Sequence, residues 1–508
     1  MTWFVAVELD KWMLIGSVVV LVAIISSRIG SRLGLPSLLL FLGLGMALDL
    51  SLGIDFHDAK LGHALGFAAL VLILAEGGLT TRWVEIKGSV PIASLFATVG
   101  MAVSVGVMTL FGVFVLGLDP WLAVLLGAVC SPTDSAAVFS VLRTVPLPAR
   151  VRSALEAESG LNDAPTVLLV VEASRIASGG HSGGLGDLLL LVGLELTGGV
   201  VLGVILGWVG VKILRNVNLP SSALYSIAAL VWAVMAYGLG VQLHLSGFAA
   251  VYVCAVVLGN GQLPHRIATR SFVEGIGWIA QIGLFIMLGL LAEPGRLTPQ
   301  IVGLGVVSGL VLTLVARPLS VWVCAVWFRI PLRHQAFLSW AGLRGAVPII
   351  LATIPLSAGV PGAQRLFDIV LVFVVVFTVL QAPTLPFAAR VLGVWDSGPT
   401  DVEVEAAPIE RIKADLLQIR IPAGSRLPGV AVSELRLPKD SVVSLIIRDG
   451  VPFAPHGRTI LRLDDEILIV TPSKSRRVAE ERLRELGQGG RLAKWRRGLE
   501  PPEPGDVD

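Results

Sequence analysis

The sequence predicts a polytopic α-helical membrane domain of about 13 spans, built as two inverted repeats with crossed broken helices, followed by a small α/β cytoplasmic domain. Three observations carry this. First, the 508 residues are 54% hydrophobic with a mean hydropathy of +0.81, and only 15% are charged, against about 25% in a soluble domain. Second, residues 1–395 hold 21 Lys and Arg and 18 Asp and Glu, whereas the short remainder, 396–508, holds 18 and 19. Third, the apolar part divides into segments near the ~20 residues that cross a bilayer. One soluble globule is excluded. A net charge of +2 with no long basic block gives no case for nucleic acid. Cys130, Cys254 and Cys324 lie far apart, so neither a disulfide framework nor metal-ligand spacing is present. The N-terminus lacks a basic n-region and a small-residue cleavage site, so no cleaved signal peptide is expected.

The apolar segments fall at about 12–27, 35–52, 61–80, 90–117, 121–143, 150–177, 187–215, 222–241, 244–260, 271–292, 299–328, 333–359 and 366–393. The ninth is the weakest and is open to a re-entrant reading. Loops on one side carry fourteen Lys and Arg, among them Arg28, Arg82, Arg150, Arg215, Arg270 and Arg333; the other side carries Lys11, Lys60, Arg175, Arg296 and Arg365. The positive side is expected to be cytoplasmic. Thirteen spans then put the N-terminus outside and the C-terminal domain inside.

Ionisable residues inside spans cost about 2.5–3.5 kcal/mol each on insertion scales and persist where they face a cavity or a partner. The deep ones are Glu76, Asp134, Glu156, Glu158, Asp163, Arg317 and Arg344. Three motifs hold most of them. Cys130-Ser131-Pro132-Thr133-Asp134-Ser135 interrupts the fifth span: Pro removes a donor, while Thr, Ser and Asp bond locally and compete with helix. Such a break survives only beside a cavity or packed protein. Asp134 falls where a second half-helix starts, a favourable place for a carboxylate. In the sixth span, Glu156-Ala157-Glu158-Ser159-Gly160-Leu161-Asn162-Asp163 puts Ser159 and Asp163 four apart on one face and Glu158 and Asn162 on another. Carboxylate and hydroxyl are hard oxygen ligands suited to an alkali cation or a proton. In the twelfth span, Gly342, Gly345 and Pro348 weaken the helix around Arg344, for which Glu158 is the expected ion-pair partner. Arg317-Pro318 reads instead as a cytoplasm-side residue reaching the interface. Glu76, followed by two glycines, is a further candidate. The broken spans, five and twelve, are seven apart, so the second copy runs the opposite way; inverted repeats with one interrupted helix each mark secondary transporters.

These runs, SPTDSAAV (131–138), ESGLNDAP (158–165), GLRGAVPI (342–349) and more loosely AEGGLTTR (75–82), resemble the cation:proton antiporter superfamily, in the monovalent cation:proton antiporter-1 branch of sodium or potassium/proton exchangers. The resemblance covers the whole membrane domain. It implies that Asp163 binds either cation or proton, that Thr133 and Asp134 line the crossing of unwound chains, and that Ser159 and Glu76 are further ligands. It makes Glu158 and Arg344 the structural ion pair. Asn162 stands where some relatives carry a second aspartate, which implies electroneutral one-for-one exchange. No cofactor is implied. A homodimer in the plasma (inner) membrane is expected, with K+ favoured over Na+ because the tail lobe described next belongs with potassium regulation.

After Trp395, residues 396–408 read as a linker. Residues 409–472 read as a small mixed domain, with strands Leu416–Ile421, Val442–Arg448 and Ile467–Val470 and a hairpin turn at Asp449-Gly450. The run 434–470 resembles the C-terminal lobe of RCK domains, which regulate potassium channels and transporters. This implies dimerisation and, in some relatives, cyclic dinucleotide binding. No GxGxxG stretch precedes it, so the nucleotide-binding lobe is not expected. Residues 473–508 read as a charged helix with a basic end suited to the anionic leaflet, then a disordered tail. A tail-gated cation channel is the rival class, but no filter-like TVGYG run exists. No triad, metal cluster or phosphate loop suggests an enzyme.

Overall fold

The computed structural model describes residues 2–33, 37–52, 59–134, 138, 145–179, 185–396, 404–409 and 414–490. It falls into two compact units, 1–395 and 396–508. Most of the expected linker (397–403), the second half of the fifth span apart from Val138, and the tail after 490 lie outside the described residues.

The first unit is helical. Helices α1 (Thr2–Leu33), α2 (Ser37–Leu52) and α3 (Ala59–Thr80) precede α4 (Val90–Phe114) and α5 (Pro120–Cys130). The sixth apolar segment is split into α6 (Ala149–Leu161) and α7 (Asp163–Ala177). Then come α8 (Leu185–Asn216), α9 (Ser222–Gln242), α10 (Gly247–Asn260), α11 (Arg266–Leu291) and α12 (Pro299–Phe328). The twelfth segment is also split, into α13 (Leu332–Trp340) and α14 (Ala346–Ser357), and α15 (Ala363–Val391) closes the unit. Among the described residues seven helices are long and apolar enough to cross a membrane, with five shorter apolar ones beside them.

Packing sorts these helices into two bundles. One joins α4–α7 with α12–α15; the other joins α1–α3 with α8–α11. The weak ninth segment, α10, is held between α3, α8 and α9. Small residues allow this: Gly199, Gly203 and Gly207 recur every fourth residue on α8, where any Cβ would meet Ser246, which caps α10, or Ala250 or Val257 within it. In the first bundle, α4 and α12 each contain a π-turn, at Phe96–Gly100 and Leu312–Ala316. These are the fourth and eleventh segments, again seven apart, and the turns pack against each other's helices. Pro318 brings no N–H to the preceding turn, and the wider turn just before it accommodates the loss.

The second unit is a five-stranded antiparallel sheet of order β1-β2-β5-β3-β4. Its strands are β1 (Val404–Ile409), β2 (Ala414–Arg420), β3 (Val442–Arg448), β4 (Val451–Phe453) and β5 (Glu466–Pro472). Asp449 and Gly450 both have positive φ (52° and 78°), as a two-residue hairpin turn between β3 and β4 requires. Two expectations need correction. Residues 404–408 are not linker: they form β1, which pairs along the open edge of β2, and their Pro408 is tolerated on an edge strand. The charged helix α16 (Arg476–Gly489) is not separate from the sheet. Its Ala479, Leu483 and Leu486 are buried with Leu417, Ile419, Ile446, Ile467 and Ile469 in one core.

Candidate functional site

The site is assembled where broken helices meet. α5 stops at Cys130, and Ser131 to Asp134 run on non-helically. The Ser131 hydroxyl donates back to the Gly127 carbonyl at 2.6 Å. Opposite, α13 stops at Trp340 and the chain stays unwound to Gly345. The two stretches are tied directly: the Asp134 N–H donates to the Leu343 carbonyl at 2.9 Å. The Asp134 carboxylate accepts the Ala346 N–H at 2.7 Å. It therefore sits at the positive N-terminus of α14, where an anion is stabilised. The expectation placed Asp134 at the start of its own second half-helix. The Asp134 carbonyl accepts from Val138 N–H, and its side chain also reaches the other broken helix. Gly345 is the residue that permits this, because a Cβ there would collide with the Asp134 carboxylate. The Thr378 hydroxyl of α15 donates to the Arg344 carbonyl at 2.5 Å, satisfying another exposed acceptor of the unwound chain.

The junction of α6 and α7 comes up against this crossing. Asn162 Nδ2 donates to Thr133 Oγ1 at 2.8 Å. The Thr166 hydroxyl donates to the Asn162 carbonyl at 2.6 Å. Asp163 opens α7 and is 1% exposed, with Ser159 at 0%, Thr133 at 2% and Asp134 at 3%. Asn162 Oδ1 and Asp163 Oδ1 are buried with no hydrogen-bond donor among the described residues. Two buried acceptor oxygens without donors, among carboxylates and a hydroxyl, suit a cation or a proton. The structure thus brings together Thr133, Asp134, Asn162 and Asp163. The Ser159 hydroxyl donates to the Glu156 carbonyl at 3.1 Å, which leaves its oxygen able to accept. Glu76 stands half-buried on α3, where Gly277 of α11 packs onto its side chain.

The expected Glu158–Arg344 pair is corrected. Glu158 is held in a two-pronged pair by Arg317, with Nη1–Oε1 at 2.5 Å and Nη2–Oε2 at 2.8 Å. Both side chains are under 5% exposed. Arg317 follows the π-turn of α12, and its guanidinium lies 5.9 Å from the Phe96 ring in the π-turn of α4. It is a buried residue, not an interfacial one. Arg344 bonds the Gly342 carbonyl through Nη1 at 2.5 Å; its Nε and Nη2 are buried without a hydrogen-bond partner among the described residues. Both guanidinium groups flank Gly342, whose lack of a side chain leaves them room. Thr378 carried no sequence signal beyond being a hydroxyl in an apolar run. The Arg317 partnership was concealed by the Pro that follows it.

A family model described as sodium/hydrogen exchanger, transmembrane, matches residues 17–391. A second, the TrkA-C domain, matches residues 416–484. The chain is 32% identical to the K(+)/H(+) antiporter NhaP2 of Shewanella oneidensis over 476 residues, 92% of this chain and 82% of the relative. It is 33% identical to the K(+)/H(+) antiporter NhaP of Alkalimonas amylolytica, over 90% of this chain and 80% of the relative. Among solved structures it resembles the sodium proton antiporter MjNhaP1 of Methanocaldococcus jannaschii, with a TM-score of 0.66 at 20% identity, covering 76% of this chain and all of that one. That likeness is one of fold.

Proposed function

Because this chain belongs to the sodium/hydrogen exchanger family, whose members are cation/proton antiporters, we propose that it exchanges potassium for protons, with Asp163 as the carboxylate for which the two compete. The observation that carries this is the pair of buried acceptors, Asp163 Oδ1 and Asn162 Oδ1, left without donors beside Thr133 and Asp134. A dehydrated monovalent cation needs such oxygens; a proton needs the carboxylate alone. Occupancy by one excludes the other, so coupling needs no cofactor. Asn162 is neutral, so one carboxylate carries one charge either way and the exchange is electroneutral.

Potassium is favoured over sodium because the two relatives named above are potassium/proton antiporters. In this reading Ser159 and Glu76 are auxiliary ligands, reached as the two bundles move in alternating access. The carrier is a homodimer of the plasma (inner) membrane. About thirteen spans place the N-terminus outside and the C-terminal lobe in the cytoplasm, where a small ligand such as a cyclic dinucleotide regulates it. Proton flux in everted vesicles, with potassium and sodium added separately, tests the reading. Potassium-dependent flux that is lost in Asp163→Asn supports it. Flux retained by a folded Asp163→Asn protein overturns it.

A further inference from the structure

A crevice of about 160 Å³ lies between the two bundles, against the α6–α7 junction. Its floor is Gly160, Ala164 and Pro165, which bracket Asn162 and Asp163, together with Ala249 and Tyr252 of α10. These five are buried. Its mouth is Ser94 and Thr98 at the π-turn of α4 and Val200 of α8, all exposed. Nearly everything facing the space is hydrocarbon.

What fills it follows from where the mouth opens. α4 and α8 are both long and apolar enough to span a membrane. Around the mouth they expose Val99 (41%), Leu194 (62%), Val201 (52%) and Val204 (46%). In a multi-pass protein that surface faces lipid, and the medium at that depth is acyl chain. Among the described residues no charged group lines the crevice to hold an ion or a headgroup. The volume is close to the ~150 Å³ of an apolar protein cavity that stays dry and takes up benzene. It therefore has room for a short hydrocarbon segment and no reason to hold water.

We propose that the crevice is an acyl-chain site: a phospholipid tail enters between α4 and α8 and rests on the Gly160–Pro165 segment. The floor is shared by helices of both bundles, so a lodged tail touches the carboxylate-bearing junction from one side and α10 from the other. The tail then sets how readily the bundles slide, and exchange depends on the lipid present. This rests on the chain's place in a bilayer, not on which ions it carries.

The test uses the full-length protein in vesicles containing a phospholipid with a photoactivatable acyl chain, followed by mapping of adducts. Tyr252 and Leu196 are expected to be labelled several-fold above Leu194 on the open lipid face, and Val200→Trp, which closes the mouth, is expected to abolish the excess. Should Val200→Trp not fold, Leu196→Phe narrows the same opening from the wall. Labelling of Tyr252 no higher than that of Leu194, labelling indifferent to the closing variant, or cross-links joining two copies of the chain through this crevice would each overturn the proposal.

Discussion

Asp163 and Glu158 are five residues apart, both buried, and have opposite expected phenotypes. Asp163→Asn keeps shape and removes charge, so exchange is expected to vanish while thermal stability in detergent holds or rises, because a buried carboxylate is relieved. Glu158 and Arg317 compensate each other, and removing either strands a buried charge at a cost of about 3–5 kcal/mol. Arg317→Ala and Glu158→Ala are each expected to lower the melting temperature strongly. The double change to Gln at both positions recovers part of the loss. Arg344→Ala combined with Glu158→Ala is expected to show weaker coupling than Arg317→Ala with Glu158→Ala. A double-mutant cycle giving the larger coupling to Arg344 would reinstate the pairing expected from sequence. The carboxylates themselves were legible because a charge in an apolar run stands out by its solvation cost alone. Partner choice was not. It depends on how the π-turn before Arg317 packs, and the Pro in Ala-Arg-Pro-Leu is as compatible with a simple kink as with that turn.

At the scale of elements, two glycines hold the machinery by having no side chain. Gly345→Ala drives a methyl into the Asp134 carboxylate, and overpacking of this kind costs about 1–3 kcal/mol. A lowered melting temperature together with lost exchange is expected. Gly160 lies against the Tyr252 hydroxyl, the first atom a Cβ there would meet. Gly160→Ala is expected to slow exchange by wedging α6 away from α10. Tyr252→Phe should restore part of the rate, because it removes that first atom and leaves the ring. If Tyr252→Phe gives no recovery in initial-rate flux assays, the wedge lies elsewhere. The breaks at 131–134 and 341–345 were readable from Pro, Gly and local hydrogen-bonding side chains. The strand β1 was not, because Val-Glu-Ala-Ala-Pro-Ile has little apolar alternation and takes its order from the edge it completes.

For the molecule as a whole, the second unit has its own response to acid. Burial pushes the Asp465 carboxyl up, but hydrogen bonds from Arg448 and the Arg462 N–H, with the charges of both arginines, outweigh it and hold the group below the usual carboxylate range. A carboxyl lower in the folded than in the unfolded state contributes stability above the ordinary carboxylate range and loses it as pH falls through the depressed value. Hydrogen exchange of residues 414–490 in the intact protein is expected to show protection falling on acidification, and less steeply in Asp465→Asn. The crossing in the first unit has a consequence of another kind, for biosynthesis. Asp134 and its acceptor-hungry partner at Ala346 are 212 residues apart, which a ribosome adding about 5–20 residues per second takes on the order of 10–40 s to cover. Through that interval the Asp134 carboxylate and N–H lack the Ala346 N–H and Leu343 carbonyl that they later meet, and a polar group without its partner costs several kcal/mol in hydrocarbon. Until the second half is made, the nascent first half has to find shelter for that carboxylate from hydrocarbon.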